Sequence, residues 1–168
     1  MIFNLAKITD VDNIMKIIKV AQDHFKRAGI DQWQNNYPNS EVIEKDIENN
    51  SSYVLRNGDN VLATVMISFD GEDTYAKIYE GEWLSHGEYA VIHRMAVDFN
   101  HRGTGLASEF LHEIEKMCID KKTPSIKVDT HRENLPMQKL LIKNGYKECG
   151  IIYLKDGNER LAYEKPLN

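Results

Sequence analysis

Residues 89–120 read YAVIHRMAVDFNHRGTGLASEFLHEIEKMCID, and this stretch sets the reading of the whole chain. The mostly apolar run 89–97 is long enough for one strand. A polar turn at 98–101 leads into Arg102-Gly103-Thr104-Gly105-Leu106-Ala107. Beyond it Leu106, Ala107, Phe110, Leu111, Ile114, Met117 and Cys118 recur at helical spacing, with Glu109, Glu113, Glu115 and Lys116 between them. The pattern predicts strand, glycine loop and amphipathic helix. Such a junction aims several backbone N–H groups and the positive end of a helix dipole at one place, which suits a phosphate or diphosphate. Glycines at 103 and 105 remove the Cβ atoms that would hold a ligand off the backbone, and Arg102 adds a planar fork of donors. A loop built only for turn geometry has the same composition, so the glycines alone leave both readings open.

Two nucleotide motifs do not fit. The loop lacks the Lys-Ser/Thr pair of a phosphate-binding NTPase loop and the three-glycine spacing of a Rossmann turn. The residues do match Arg-x-x-Gly-x-Ala, as Arg102, Gly105 and Ala107, after a strand ending Met95-Ala96-Val97-Asp98. This resembles motif A of the GNAT acetyltransferase superfamily, whose members bind acetyl-CoA. Asn134, opening a helical stretch that ends Asn144-Gly145-Tyr146, resembles that family's next motif, and the order of elements agrees along nearly the whole chain.

With 168 residues the chain suits one domain, residues 1–168, burying roughly two thirds of its unfolded surface. Apolar content of 42% and charged content of 28% are ordinary for a globular protein. A net charge of −5 argues against a nucleic-acid partner, which calls for a basic field, and is compatible with a cationic acceptor. The first ten residues carry no basic, apolar leader pattern, and no window approaches 18 apolar residues, so neither a secretory signal nor a membrane span is expected. Cys118 and Cys149 have no CxxC partner or metal-type neighbours. They read as two free thiols in a reducing compartment, the cytoplasm.

Along the chain, residues 2–6 form a short strand candidate. Thr9-x-x-Asp12 reads as a capping box before a helix whose face is Val11, Ile14, Met15, Ile18, Ala21 and Phe25, ended by Gly29. Residues 30–38 are aperiodic and make a loop carrying Trp33 and Tyr37. Ser40 is expected to cap a second helix running to Glu48. Asn57-Gly58-Asp59-Asn60 joins two strands as a hairpin. Residues 75–87 are ambiguous, with one or two helical turns and Trp83 packing them down. Residues 125–130 alternate, Ile126 and Val128 on one face, Lys127 and Asp129 on the other. Asn134 caps a helix with Pro136 in its first turn, Gly145 ends it, and a last hairpin turns at 155–158. Patterning alone predicts an α/β chain. The resemblance implies a GNAT-like fold, a central mixed and mostly antiparallel sheet with splayed strands four and five, flanked by helices.

The resemblance also implies a chemistry. Backbone groups of Met95, Ala96 and Val97 would hold the pantetheine arm. Arg102, Gly103, Thr104, Gly105, Leu106 and Ala107 would hold the diphosphate, with Asn134 and Met137 on the pantetheine or adenosine side. Trp33 and Tyr37 sit where such proteins have a substrate-side lid; Trp33 pinning the loop to the body is the alternative, and the two are compatible. An alkylamine has a pKa of about 10.4, so about one molecule in 10³ is a free nucleophile at pH 7 and a base is useful. His93 is the candidate base. It lies four residues before Val97, on the same strand face by parity unless a bulge intervenes, and histidine exchanges protons near neutral pH. A sheet histidine satisfied by hydrogen bonds is the other reading. Asp129 is a candidate anchor for the amine or a solvated strand-end carboxylate. Glu80, Glu82 and Glu88 read as surface charge, and His24, His86, His101 and His112 are too scattered for a metal site, so no metal is expected. Many members carry a tyrosine seven residues after the motif asparagine, as the acid for the departing thiol. Here that position is Leu141, leaving the role to water, Tyr153 or Tyr163. Two functions follow: an acetyl-CoA-dependent N-acetyltransferase acting on a small-molecule or peptide amine by direct attack in a ternary complex, or a non-catalytic acyl-CoA-binding sensor or scaffold. Pairing of two copies through the C-terminal hairpin stays open.

Overall fold

Asn57 and Asn60 face each other across a two-residue turn in which Gly58 takes φ +59°, a tighter reversal than the four residues the sequence suggested. That hairpin belongs to a seven-stranded sheet in the order β1-β2-β3-β4-β5-β7-β6. The computed structural model describes every residue from Met1 to Asn168. Its strands are β1 (Ile2–Leu5), β2 (Ser52–Asn57), β3 (Asn60–Ser68), β4 (Ala90–Val97), β5 (Ser125–Thr130), β6 (Lys147–Tyr153) and β7 (Glu159–Pro166). The helices are α1 (Val11–Arg27), α2 (Ser40–Glu48), α3 (Leu106–Asp120) and α4 (Leu135–Lys143). The β1–β2, β2–β3, β5–β7 and β6–β7 pairs are antiparallel, and β4–β5 is parallel. This is the mixed α/β sheet with its helices that the sequence led us to expect. Contacts divide the chain into two compact units, Met1–Ile67 with His93–Phe110, and Ser68–Ile92 with Leu111–Asn168.

In the first unit, Ile14 and Ile18 of α1 and Ile43 of α2 pack with Val54, Val61 and Ala96 of the sheet. Alternation sends the neighbours of Val54 to the other face, where Tyr53 stacks on Phe3 at 5.4 Å and Phe3 meets the edge of Phe110 at 5.9 Å. The start of α1 differs from the Thr9 capping box. Ile8–Asp10 form a 3-10 turn, and the Asp10 carboxylate accepts from the Lys7 N–H at 2.8 Å while pairing with Arg56 at 2.7 Å. Burial alone would raise the Asp10 pKa, but Arg56 and the Lys7 amide outweigh it and hold the carboxyl below its usual range.

At α2 the cap is also shifted by one residue. Asn39 Oδ1 accepts from Val42 N–H at 3.1 Å, and Ser40 is the first helical residue. Asn39→Ala is therefore expected to cost about 1 kcal/mol and to lower Tm by about 2–4 °C, with Ser40→Ala near neutral. Thermal denaturation of the two variants checks this, and the opposite ranking would return the cap to Ser40.

In the second unit, β5 has the bounds read from the sequence, with Ile126 and Val128 buried. Its other face is not the polar surface that alternation suggested. Lys127 is only 4% exposed, and its Nζ lies 4.1 Å from the Tyr89 ring centroid and 4.4 Å from that of Trp83. The covering segment between β3 and β4 contains one 3-10 turn, Asp73–Tyr75, and continues irregularly. Trp83 Nε1 donates to the Tyr75 carbonyl at 2.9 Å. The wholly buried Glu164 accepts from Leu84 N–H at 2.6 Å, from Ser85 N–H at 3.3 Å, from the Ser85 hydroxyl, and from Ser125 Oγ at 2.7 Å. Tyr79 and Ile151 exchange both backbone bonds at 2.8 Å. A Cβ on Gly81 would sit 1.9 Å from the Cys149 carbonyl oxygen, and one on Gly150 would sit 2.5 Å from that of Tyr79. Only glycines permit that approach.

Cys118 and Cys149 are free and buried, and burial pushes their thiols up to about 12 and about 11. Both therefore stay protonated and unreactive near neutral pH. No helix is long and apolar enough to cross a membrane.

Candidate functional site

β4 changes character halfway along. Its parallel ladder pairs Ala90, Val91 and Ile92 with Ile126, Lys127 and Val128, and residues 93–97 lie outside it. Arg94, inside the strand, has φ +54°, a left-handed conformation that costs a non-glycine residue of order 1–3 kcal/mol and persists only where its surroundings enforce it. The surroundings here are Asp46 on α2, which takes two bonds from the guanidinium at 2.7 and 2.9 Å, and Tyr37, whose hydroxyl oxygen takes a third at 2.8 Å. Because Arg94 breaks the period-two alternation, counting faces from His93 to Val97 no longer holds. The parity argument that placed His93 beside Val97 therefore does not carry past residue 94, where the backbone turns left-handed. His93 is half-buried, as are Met95 and Val97, whereas the Ala96 side chain belongs to the core under α1 and α2.

The glycine loop follows in the same unit. Asp98 N–H donates to Leu62 O at 2.8 Å, and Phe99–His101 make a 3-10 turn. Arg102 lays its guanidinium over Phe99 at 4.4 Å, with Nη2 3.5 Å from His24 Nε2. Gly103 and Gly105 adopt φ +72° and +84°, so glycine is required by conformation, and a Cβ on either would meet nothing within 4 Å. The space over the loop is open. Thr104 Oγ1 donates to His101 O at 2.6 Å. Glu109 N–H makes the first full-turn bond of α3, to Gly105 O at 3.0 Å. The amides of Gly105, Leu106 and Ala107 stand ahead of it, at the positive end of the helix. The Leu106 side chain is buried, so only its backbone is available to a ligand.

Trp33 packs edge-on against Phe25 at 5.8 Å and lies on the α1–α2 core, as a residue pinning the loop would. Gln22 Nε2 bonds Pro38 O at 2.9 Å, and Gln34 Nε2 bonds Gln22 O at 3.2 Å, tying the rest of that loop to α1.

The second unit holds the remaining candidates. Asp129 accepts the Tyr75 hydroxyl at 2.6 Å, so it is a partnered carboxylate and not a merely solvated strand end. Burial first, and then the Asp129 charge, push the Tyr75 phenol well above its ordinary range, which keeps it a donor. Asn134 caps α4 by accepting from Met137 N–H at 3.3 Å, while Met137 is half-buried. Leu141 is wholly buried. Of the two tyrosines that were candidates to replace it, Tyr163 is wholly buried and its phenol is raised by burial and by Glu148. Tyr153 is exposed, edge-on to Tyr79 at 5.2 Å.

A mixed sheet with a parallel β4–β5 pair, whose first strand feeds an arginine–glycine loop at the amino end of a helix, is the arrangement that the resemblance to the GNAT acetyltransferases implied. The chain belongs to the acetyltransferase (GNAT) family, whose model matches residues 18–146. It is similar to a GNAT-family acetyltransferase from Streptococcus agalactiae, at 36% identity and a TM-score of 0.91, covering 99% of this chain and 95% of that one. A GNAT-family acetyltransferase from Listeria monocytogenes shares the fold at 21% identity and a TM-score of 0.74, with 99% and 94% covered. The ribosomal-protein-S18-alanine N-acetyltransferase of Escherichia coli shares it at 12% identity and a TM-score of 0.66, with 99% and 94% covered. Among curated proteins nothing matches the sequence.

Sequence reasoning missed Arg94, Asp46 and Tyr75. An arginine inside an apolar strand run was the one available signal for the first.

Proposed function

We propose that residues 1–168 act as one N-acetyltransferase domain that moves an acetyl group from acetyl-CoA to an amine of a small molecule or peptide, by direct attack in a ternary complex. The observation that carries this reading is the loop 102–107. Its amides precede the first full-turn bond of α3, its glycines leave the space above them open, and Arg102 is exposed beside them. Those features fit a diphosphate. Acetyl-CoA, when bound, supplies an acetyl group activated as a thioester, and the rest falls to the chain's own residues. Backbone groups of Met95, Ala96 and Val97 hold the arm. Asn134 and Met137 line its pantetheine or adenosine side. Asp129, oriented by Tyr75, draws in the acceptor's ammonium group, and Trp33 and Tyr37 wall its side. His93 takes the proton that keeps that amine from attacking. A thiol leaving group of pKa about 8.5 needs little help, so water suffices in place of the hydroxyl that Leu141 lacks. Two buried free thiols accord with a cytoplasmic setting.

A second reading, a non-catalytic acyl-CoA-binding module, is favoured by the buried Leu141 at the position of the usual acid. Thiol release from acetyl-CoA across a panel of amines separates the two. Both readings require that acetyl-CoA at 100 times its Kd stabilise the protein by about 2.7 kcal/mol, or about 5–11 °C in Tm. A shift with thiol release supports the enzyme, and a shift without release supports the binding module. A shift with ATP or NAD in place of acetyl-CoA would overturn both.

A further inference from the structure

Arg94 spends its donors unevenly. Two of them form parallel bonds to Asp46, a carboxylate that is only 6% exposed on α2, and these already neutralise and bury the pair. The third reaches Tyr37 at 2.8 Å, yet Tyr37 is 44% exposed, and its hydroxyl could take water as a partner. Burial therefore does not account for this bond. Its effect is geometric, because a phenol near the end of the loop between α1 and α2 is tied to a guanidinium that is itself clamped by a buried carboxylate. The clamp is mounted on the left-handed residue of β4 that directly follows His93. The Tyr37 ring is thereby fixed relative to the β4 backbone, while the rest of its loop is tied to α1.

We propose that Arg94 is a positioning residue that, anchored by Asp46, holds the Tyr37 ring as a wall against which the acceptor amine is seated beside residues 93–97. This rests on the acetyltransferase reading above and adds to it a determinant of acceptor binding that touches neither the donor nor the reacting atoms.

The test uses phenethylamine, spermidine and a glycine-starting tripeptide amide as acceptors, carrying forward the one consumed fastest. Tyr37→Phe keeps the ring and removes the bonded oxygen, and Arg94→Lys keeps the charge but loses the fork. Each single variant is expected to raise KM for the amine about tenfold, with kcat and KM for acetyl-CoA within about twofold. The double variant is expected to match either single one, because Arg94 acts through Tyr37. Tyr37→Phe alters one exposed atom and serves as the variant whose fold is not at risk. Additive effects, or a lowered Tm with an unchanged amine KM, would overturn the positioning role alone. A wild type that binds acetyl-CoA yet releases no thiol with any of the three amines would sink the enzyme reading and this inference together.

Discussion

Replacing His93 with alanine or glutamine is expected to lower kcat/KM for the acceptor amine by about 10²–10⁴-fold while acetyl-CoA still binds. The size follows from the acceptor's own acidity. At pH 7 an amine of pKa about 10.4 carries its extra proton in all but about one molecule in 10³, and a positioned base recovers most of that factor. The pH dependence separates this role from a structural one. Raising the pH frees the amine without help, so the deficit of the variant is greatest near and below neutrality and narrows toward alkaline pH. Equal pH–rate profiles for the variant and the native enzyme would take His93 out of the mechanism. Its place next to the left-handed Arg94 gives the fold a way to aim the imidazole that regular alternation does not provide.

Arg102→Ala is expected to weaken acetyl-CoA about 10- to 100-fold, the worth of a charge-assisted bond of about 1.5–3 kcal/mol. At a concentration of 100 native Kd, the ligand-induced stabilisation of about 2.7 kcal/mol would fall to about 0.4–1.4 kcal/mol. The unliganded Tm should hardly move, since the side chain is exposed and its contacts are the Phe99 face and a 3.5 Å approach to His24. Titration by calorimetry and by thermal shift would measure both quantities. An Arg102→Ala variant that binds acetyl-CoA like the native protein would place the diphosphate elsewhere.

Much of the architecture was legible because local signals and burial agreed. The Asn57-to-Asn60 stretch demanded a hairpin, Gly145 takes φ +87° after α4, and Asn134 caps that helix. Three features were not legible, and each depends on residues distant in sequence. Alternation along β5 marks Lys127 as solvent-facing, but the aromatic segment that covers it arrives from 38 to 44 residues earlier, with Trp83 and Tyr89. Glu164 reads as an ordinary strand carboxylate until Leu84, Ser85 and Ser125 converge on it. The left-handed turn at Arg94 has no local signature, since arginine has no preference for that conformation and Asp46 lies 48 residues away. The cap of α2 slipped by one residue for a smaller reason: Asn39 and Ser40 stand next to each other, and only the hydrogen bond to Val42 chooses between them.

The stitch between Tyr79 and Ile151 bears on how molecules of this protein meet at high concentration. β6 ends the strand order, so its outer row of amides and carbonyls is a template that a stray strand from another copy could join. Tyr79 already occupies that row at Ile151, and Gly81 and Gly150 let the two backbones seat closely there. A neighbour recruited to this margin would first have to displace, at Ile151, a segment whose backbone is held by the buried Glu164.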